Sequence, residues 1–151
     1  MPLGSPPLAG AVSRLVGMTD TPGSRSLSPE ERRRIIDIAM ELARTGQTAD
    51  LLDFLDHGVP VDMTDADGNS FLMLAAYHGR EETVLALLAR GADVDLRNSR
   101  DQSPVAGAIF KGEEPVVRAL VAAGADLDTG TPTARQAAEM FGRTHLLEVA
   151  E

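Results

Sequence analysis

Cysteine is absent from this chain, which removes disulfide staples, thiolate metal sites, redox motifs and cysteine nucleophiles together and fits a reducing, cytoplasmic setting. No apolar run approaches the roughly 18 to 20 residues that a bilayer requires, so no membrane association is expected. The one leader-like stretch, Leu8 to Met18, is interrupted by Arg14 and has no basic segment before it, so a secretory leader is not expected. Tryptophan is missing and aromatics supply only 3% of residues, which leaves Ala and Leu to fill the core. Positive charge is scarce: 14 Lys and Arg face 23 Asp and Glu, a net charge of -9. That sign opposes binding to phosphate backbones and excludes nucleic acid as the expected partner. Lys111 is the lone lysine, and the dominance of Arg is the bias of GC-rich coding sequence, pointing to a bacterial source.

With 151 residues the chain has room for one domain and a real core. Residues 1–26 are rich in Pro, Gly and Ser and read as a flexible tail, because they offer little apolar surface to offset the entropy of ordering. The folded part is then 27–151, with 12 basic and 22 acidic side chains.

A period organises this part. Gly46, Gly79 and Gly112 are 33 residues apart, and so are Gly58, Gly91 and Gly124. After the second column the text recurs as Gly58-Val-Pro-Val-Asp62, Gly91-Ala-Asp-Val-Asp95 and Gly124-Ala-Asp-Leu-Asp128. Between the columns lie Leu51, Phe54 and Leu55, then Val84, Leu87 and Leu88, then Val117, Leu120 and Val121, each an apolar stripe at helical spacing. Gly58, Gly91 and Gly124 stand where these short helices would end in the left-handed conformation.

A first helix precedes each member of the other glycine column. The opening one starts at Ser28-Pro-Glu-Glu31, a capping box with proline in the first turn, and buries Ile35, Ile38, Ala39, Leu42 and Ala43. Its counterparts span about Ser70 to His78 and Ser103 to Lys111. A fourth, shortened unit starts near Thr133, carries Ala137 and Ala138 before Gly142, and closes the array on Leu146 and Leu147.

The stretch Asp65 to Asp95 resembles an ankyrin repeat: it has Asp-x-x-Gly as Asp65 to Gly68, then Leu72, Ala75-Ala76, Gly79, Leu87-Leu88 and Gly91-Ala92-Asp93-Val94. The resemblance covers about residues 30–151. It implies an all-α solenoid of about four ankyrin-type repeats with short turns or hairpins, at roughly 28–64, 65–97, 98–130 and 131–151. The family's Thr-Pro-Leu-His opening is Ser70-Phe71-Leu72-Met73 here and Ser103-Pro104-Val105-Ala106 in the next unit. Both histidines are lost, so looser turns are expected. Asp101 in place of the turn glycine and Gly107 inside a helix make the third repeat the expected soft point. Repeats of this kind are stable only when stacked and capped, roles that Arg32, Arg33 and Arg34 at one end and Glu139, Arg143, Glu148 and Glu151 at the other would fill in a self-contained array.

Catalytic chemistry finds little footing. Aligned on Gly68, a calcium loop would place Met63 and Leu74 at ligand positions, so Asp62, Asp65 and Asp67 read as turn formers. His57, His78 and His145 show no ligand spacing. Gly68-Asn-Ser70 is only half of a nucleophile elbow, and no phosphate-cradling loop or dinucleotide fingerprint occurs. No metal or cofactor is expected. The competing readings are a small hydrolase or metal-dependent enzyme using His78 and Asp67, and a self-associating structural subunit.

The resemblance implies a non-catalytic module that binds a partner protein through a concave face of first helices and through the turn tips, as adaptor or inhibitor. The positions before the first glycine column read Arg44-Thr45, Tyr77-His78, Phe110-Lys111 and Met140-Phe141. Tyr77 and Phe110 stand one repeat apart, outside the core stripe, beside cations, as interface anchors often do. The expected contact residues are Arg44, Tyr77, His78, Phe110 and Lys111, with a polar rim of Asp67, Asn69, Ser99, Arg100 and Gln102. Phe71 extends the apolar patch. The negative balance calls for a partner with a basic or mixed-charge surface, and a monomer is expected.

Overall fold

The computed structural model describes residues 28–150, with side chains to Leu147; the expected tail, Glu151 and the side chain of Glu148 lie outside that description. Eight helices follow in order: α1 Pro29–Thr45, α2 Thr48–Asp56, α3 Phe71–Tyr77, α4 Glu81–Ala89, α5 Pro104–Lys111, α6 Glu114–Ala122, α7 Ala134–Met140 and α8 Thr144–Ala150. The only ladder pairing among the described residues is the isolated bridge of Thr64 with Ser70. First helices pack in one layer, α1 on α3, α3 on α5 and α5 on α7. Second helices form the other, α2 on α4, α4 on α6 and α6 on α8.

Short helices are marginal alone, and here the first helix of each unit is held by a side-chain cap at its start. Ser28, Ser70, Ser103 and Thr133 accept the amide of the third helical residue, which typically contributes about 1 kcal/mol. Ser28 with Glu31 and Thr133 with Gln136 complete capping boxes. At the far end of α2, the Gly58 amide reaches Leu55 and the Val59 amide reaches Phe54, closing the helix at a glycine with φ 108°. His57 adds its ring Nδ1, 2.8 Å from the carbonyl of Asp53.

Between the layers runs one core. Leu51, Phe54, Val84, Leu87, Val117 and Leu120 are buried from the second helices, and Ile35, Ala39, Ala75, Ala76, Ala108 and Ile109 from the first. Small alanines at the glycine end of α3 and α7 let neighbouring helices approach closely, which is how a chain with few aromatics closes its interior. Thr83 is buried as well, and its hydroxyl lies 2.7 Å from that of Thr48 in the preceding unit.

The turns are braced, contrary to the looseness expected from the missing histidines. Asp62 accepts the amide of Asp93, and one repeat later Asp95 accepts that of Asp126, both at 2.8 Å. Ser99 donates its amide to the carbonyl of Asp67 at 2.9 Å, and Asn98 joins Asn69 at 2.9 Å and Gln102 at 2.8 Å. Asp101 takes the left-handed conformation, φ 61°. Its carboxylate is held by Arg97 and Thr131.

Candidate interface on the first-helix layer

The first helices all end toward one edge of their layer, because each runs from its serine or threonine cap to its glycine. Positions just before those glycines therefore line up. Tyr77 ends α3, Phe110 lies in the last turn of α5, and Phe141 follows α7. Tyr77 and Phe110 stack nearly parallel, ring centres 6.1 Å apart and planes 9° apart. Phe141 meets Phe110 edge to face at 4.9 Å. Each geometry satisfies the ring quadrupoles and adds roughly 0.5–1.5 kcal/mol beyond burial. Lys111 sits 4.8 Å over the Tyr77 ring, and His78 packs its ring edgewise on Tyr77 at 5.2 Å.

This ladder is exposed for its size. Phe110 keeps 45% of its surface accessible, Met140 66% and Phe141 39%. Beside it opens an apolar groove of about 330 Å³ lined by Met73, Gly107, Pro132, Ala137 and Met140 together with the three rings. Gly107 forms part of its floor: a Cβ there would stand 3.6 Å from Tyr77 Cδ1 and 3.9 Å from Met73 Sδ, ordinary contact distances. The missing side chain keeps the groove open.

Gln102 links the groove to the turns. It also borders a small polar cavity of about 130 Å³ formed by Asp67, Asn69, Asn98, Ser99 and Arg100. The expected rim residues are thus brought together. Arg44 occupies the same register in the first unit and pairs with Glu41. Burial, then the cations Arg44, Lys111 and Arg80, hold the His78 imidazole below its ordinary pKa, against a smaller opposing effect of Glu41.

Phe71 departs from the expectation. It is fully buried, 0% exposed, and belongs to the core, since burying a phenylalanine stabilises by about 1.5–3 kcal/mol. The catalytic pairing of His78 with Asp67 fails as well: Asp67 precedes the start of α3 and His78 follows its end, with seven helical residues, about 10 Å of helix, between them. Among the described residues no group of three or more His, Cys, Asp or Glu could hold a metal ion.

The family model for ankyrin repeats, three copies, matches residues 39–131. The chain belongs to the ankyrin repeat family. It is 40% identical over 67 residues to the ankyrin repeat protein PA3287 of Pseudomonas aeruginosa, a match that covers 44% of this chain and 38% of that protein. The chain therefore spans well under half the length of that relative. Among the described residues no helix is long and apolar enough to cross a membrane. Within the ankyrin frame the ladder lies on the first-helix face, and Met140 and Phe141 extend it into the fourth repeat. Sequence reasoning placed both beside the fourth glycine without selecting them as contacts. Their strong apolar character on a short, polar terminal unit was the available sign.

Proposed function

We propose that this ankyrin repeat protein is a non-catalytic, cytoplasmic, monomeric binding module that holds a partner protein against the Tyr77–Phe110–Phe141 ladder and its groove. A single observation carries the reading: three of the four large exposed apolar side chains among the described residues, Phe110, Met140 and Phe141, converge on one groove. The rings are already packed against one another, so little side-chain freedom is lost on association. The polar turn cavity at Asp67, Asn69, Ser99, Arg100 and Gln102 supplies the rim, and the negative charge of the remaining surface favours a basic or mixed-charge partner. Occupying a partner's surface in this way serves an adaptor or an inhibitor.

The test is affinity capture from lysate of the native source with the wild type and with Tyr77→Ala/Phe110→Ala. A protein enriched by the wild type and lost with the double variant, at unchanged circular dichroism, supports the reading. Equal capture by both removes the ladder from the interface.

A further inference from the structure

Each of the first three first helices ends in a glycine over which the next unit lays a side chain. The residue immediately after the following unit's glycine does this three times. Arg80 lies over Gly46, Glu113 over Gly79 and Arg143 over Gly112; a Cβ on those glycines would stand 2.8 Å from Arg80 Cδ, 2.5 Å from Glu113 Cδ and 2.9 Å from Arg143 Nε. Two of the three steps make the same bond. Arg80 Nε donates to the carbonyl of Arg44, and Arg143 Nη1 to the carbonyl of Phe110, both at 3.0 Å. A guanidinium at a helix C-terminus satisfies a carbonyl left over by the helix and opposes the negative pole of its dipole.

The middle step is inverted. In that register the acceptor is the carbonyl of Tyr77, but the residue that arrives is a carboxylate, which cannot donate to it. Among the described residues Glu113 has no cation within 4 Å; neighbouring Lys111 is engaged over the Tyr77 ring instead. An unpaired carboxylate and the negative end of α3 thus meet at the first rung of the aromatic ladder, where the other two steps hold an arginine.

We propose that the partner supplies the missing guanidinium: an arginine that reaches between Glu113 and the Tyr77 carbonyl while an adjacent apolar side chain enters the groove. This rests on the ladder face being the interface. Charge complementarity selects the occupant, because the site pairs a carboxylate with a helix C-terminus in a chain of net charge -9. Arginine fits better than lysine, since its planar fork can serve carboxylate and carbonyl at once and its face can lie on the exposed rings.

Short random peptides displayed on phage and selected against the full chain test this, with Glu113→Gln, Glu113→Arg and Phe110→Ala as comparisons. The wild type selects peptides with arginine close to Phe, Leu or Met. Glu113→Gln keeps the apolar preference, drops the arginine and weakens synthetic copies of the wild-type peptides by about tenfold. Glu113→Arg rebuilds the step within the chain, loses arginine selection and raises Tm by about 2–4 °C. Selection of acidic residues, arginine selection that survives Glu113→Gln, or a lowered Tm for Glu113→Arg overturns the proposal and leaves the groove reading standing. A dimer that dissociates in Glu113→Gln overturns it too, by making a second copy the occupant. Peptide binding indifferent to Phe110→Ala overturns the groove reading itself.

Discussion

Gly107 is the position where stability and binding are expected to pull apart. It stands inside α5 with an ordinary helical backbone, unlike the glycines that end helices at positive φ. Replacing it with alanine removes the helix penalty of glycine, about 0.8–1 kcal/mol. The added methyl group meets Tyr77 and Met73 at 3.6 and 3.9 Å, so it packs without strain and contributes about 0.4 kcal/mol at a half-buried site. Together these give about 1.2–1.4 kcal/mol, which for a folded part of this size raises Tm by about 4–5 °C. The same methyl group raises the groove floor. A partner side chain seated there is displaced, and affinity falls by about tenfold, or about 1.4 kcal/mol. Thermal melting by circular dichroism reads the first effect, and titration calorimetry with the captured partner or a selected peptide reads the second. Gly112→Ala is the opposing control: φ there is 74° and the new Cβ would stand 2.9 Å from Arg143 Nε, so Tm falls. A Gly107→Ala protein that melts lower than the wild type would show that the floor has no room. One that is stabilised but binds equally well would show that no ligand reaches it.

Other perturbations follow the same logic. Ser103→Ala, which removes a fully buried cap from α5, is expected to cost about 1 kcal/mol or slightly more in urea unfolding; an unchanged midpoint would mean that α5 is held without its cap. Removal of residues 129–151 uncovers the α5 and α6 faces on which α7 and α8 pack, so the shortened protein aggregates or loses helical signal, whereas an unaltered melting curve would refute the capping role of the fourth unit. The His78 ring, followed by NMR, titrates below the ordinary value of about 6.5, and its midpoint rises in Lys111→Gln. Because the unfolded chain binds that proton more tightly, the group's contribution to stability is present above about pH 6.5 and is lost as pH falls toward the native midpoint; a native midpoint above 6.5 reverses the sign and refutes the account.

Much of the architecture was legible because repeat proteins write the same physics several times. The glycine columns, the serine caps and the apolar stripes are each local rules, and they recur at one period, so α3 and α5 fall within a residue of their expected limits. The one-repeat register of Tyr77 and Phe110 was legible for the same reason, and their rings stack. Phe71, which stands where the family has a proline, misled because it was read as an extension of the apolar patch, whereas its size makes burial worth more than exposure. The turn braces were hidden although their residues were in view: Asp62, Asp93, Asp95 and Asp126 belong to the recurring text, but which amide each carboxylate accepts depends on how adjacent units are placed. Gly107 illustrates the converse limit. In sequence it is a weak point in a helix, and only the neighbouring α3 and α7 reveal the space that it leaves.

The three rings come from three different repeats, so anything bound across them touches α3, α5 and α7 at once. In a linear array each unit otherwise depends on its immediate neighbours, and terminal units are free to fray ahead of the rest. A ligand resting on all three rungs ties the fate of the last unit to that of the second. Occupancy then changes how the array comes apart as well as when: amide exchange in α7 and α8 slows toward that of the central helices, and the melting transition sharpens as it moves up with ligand concentration.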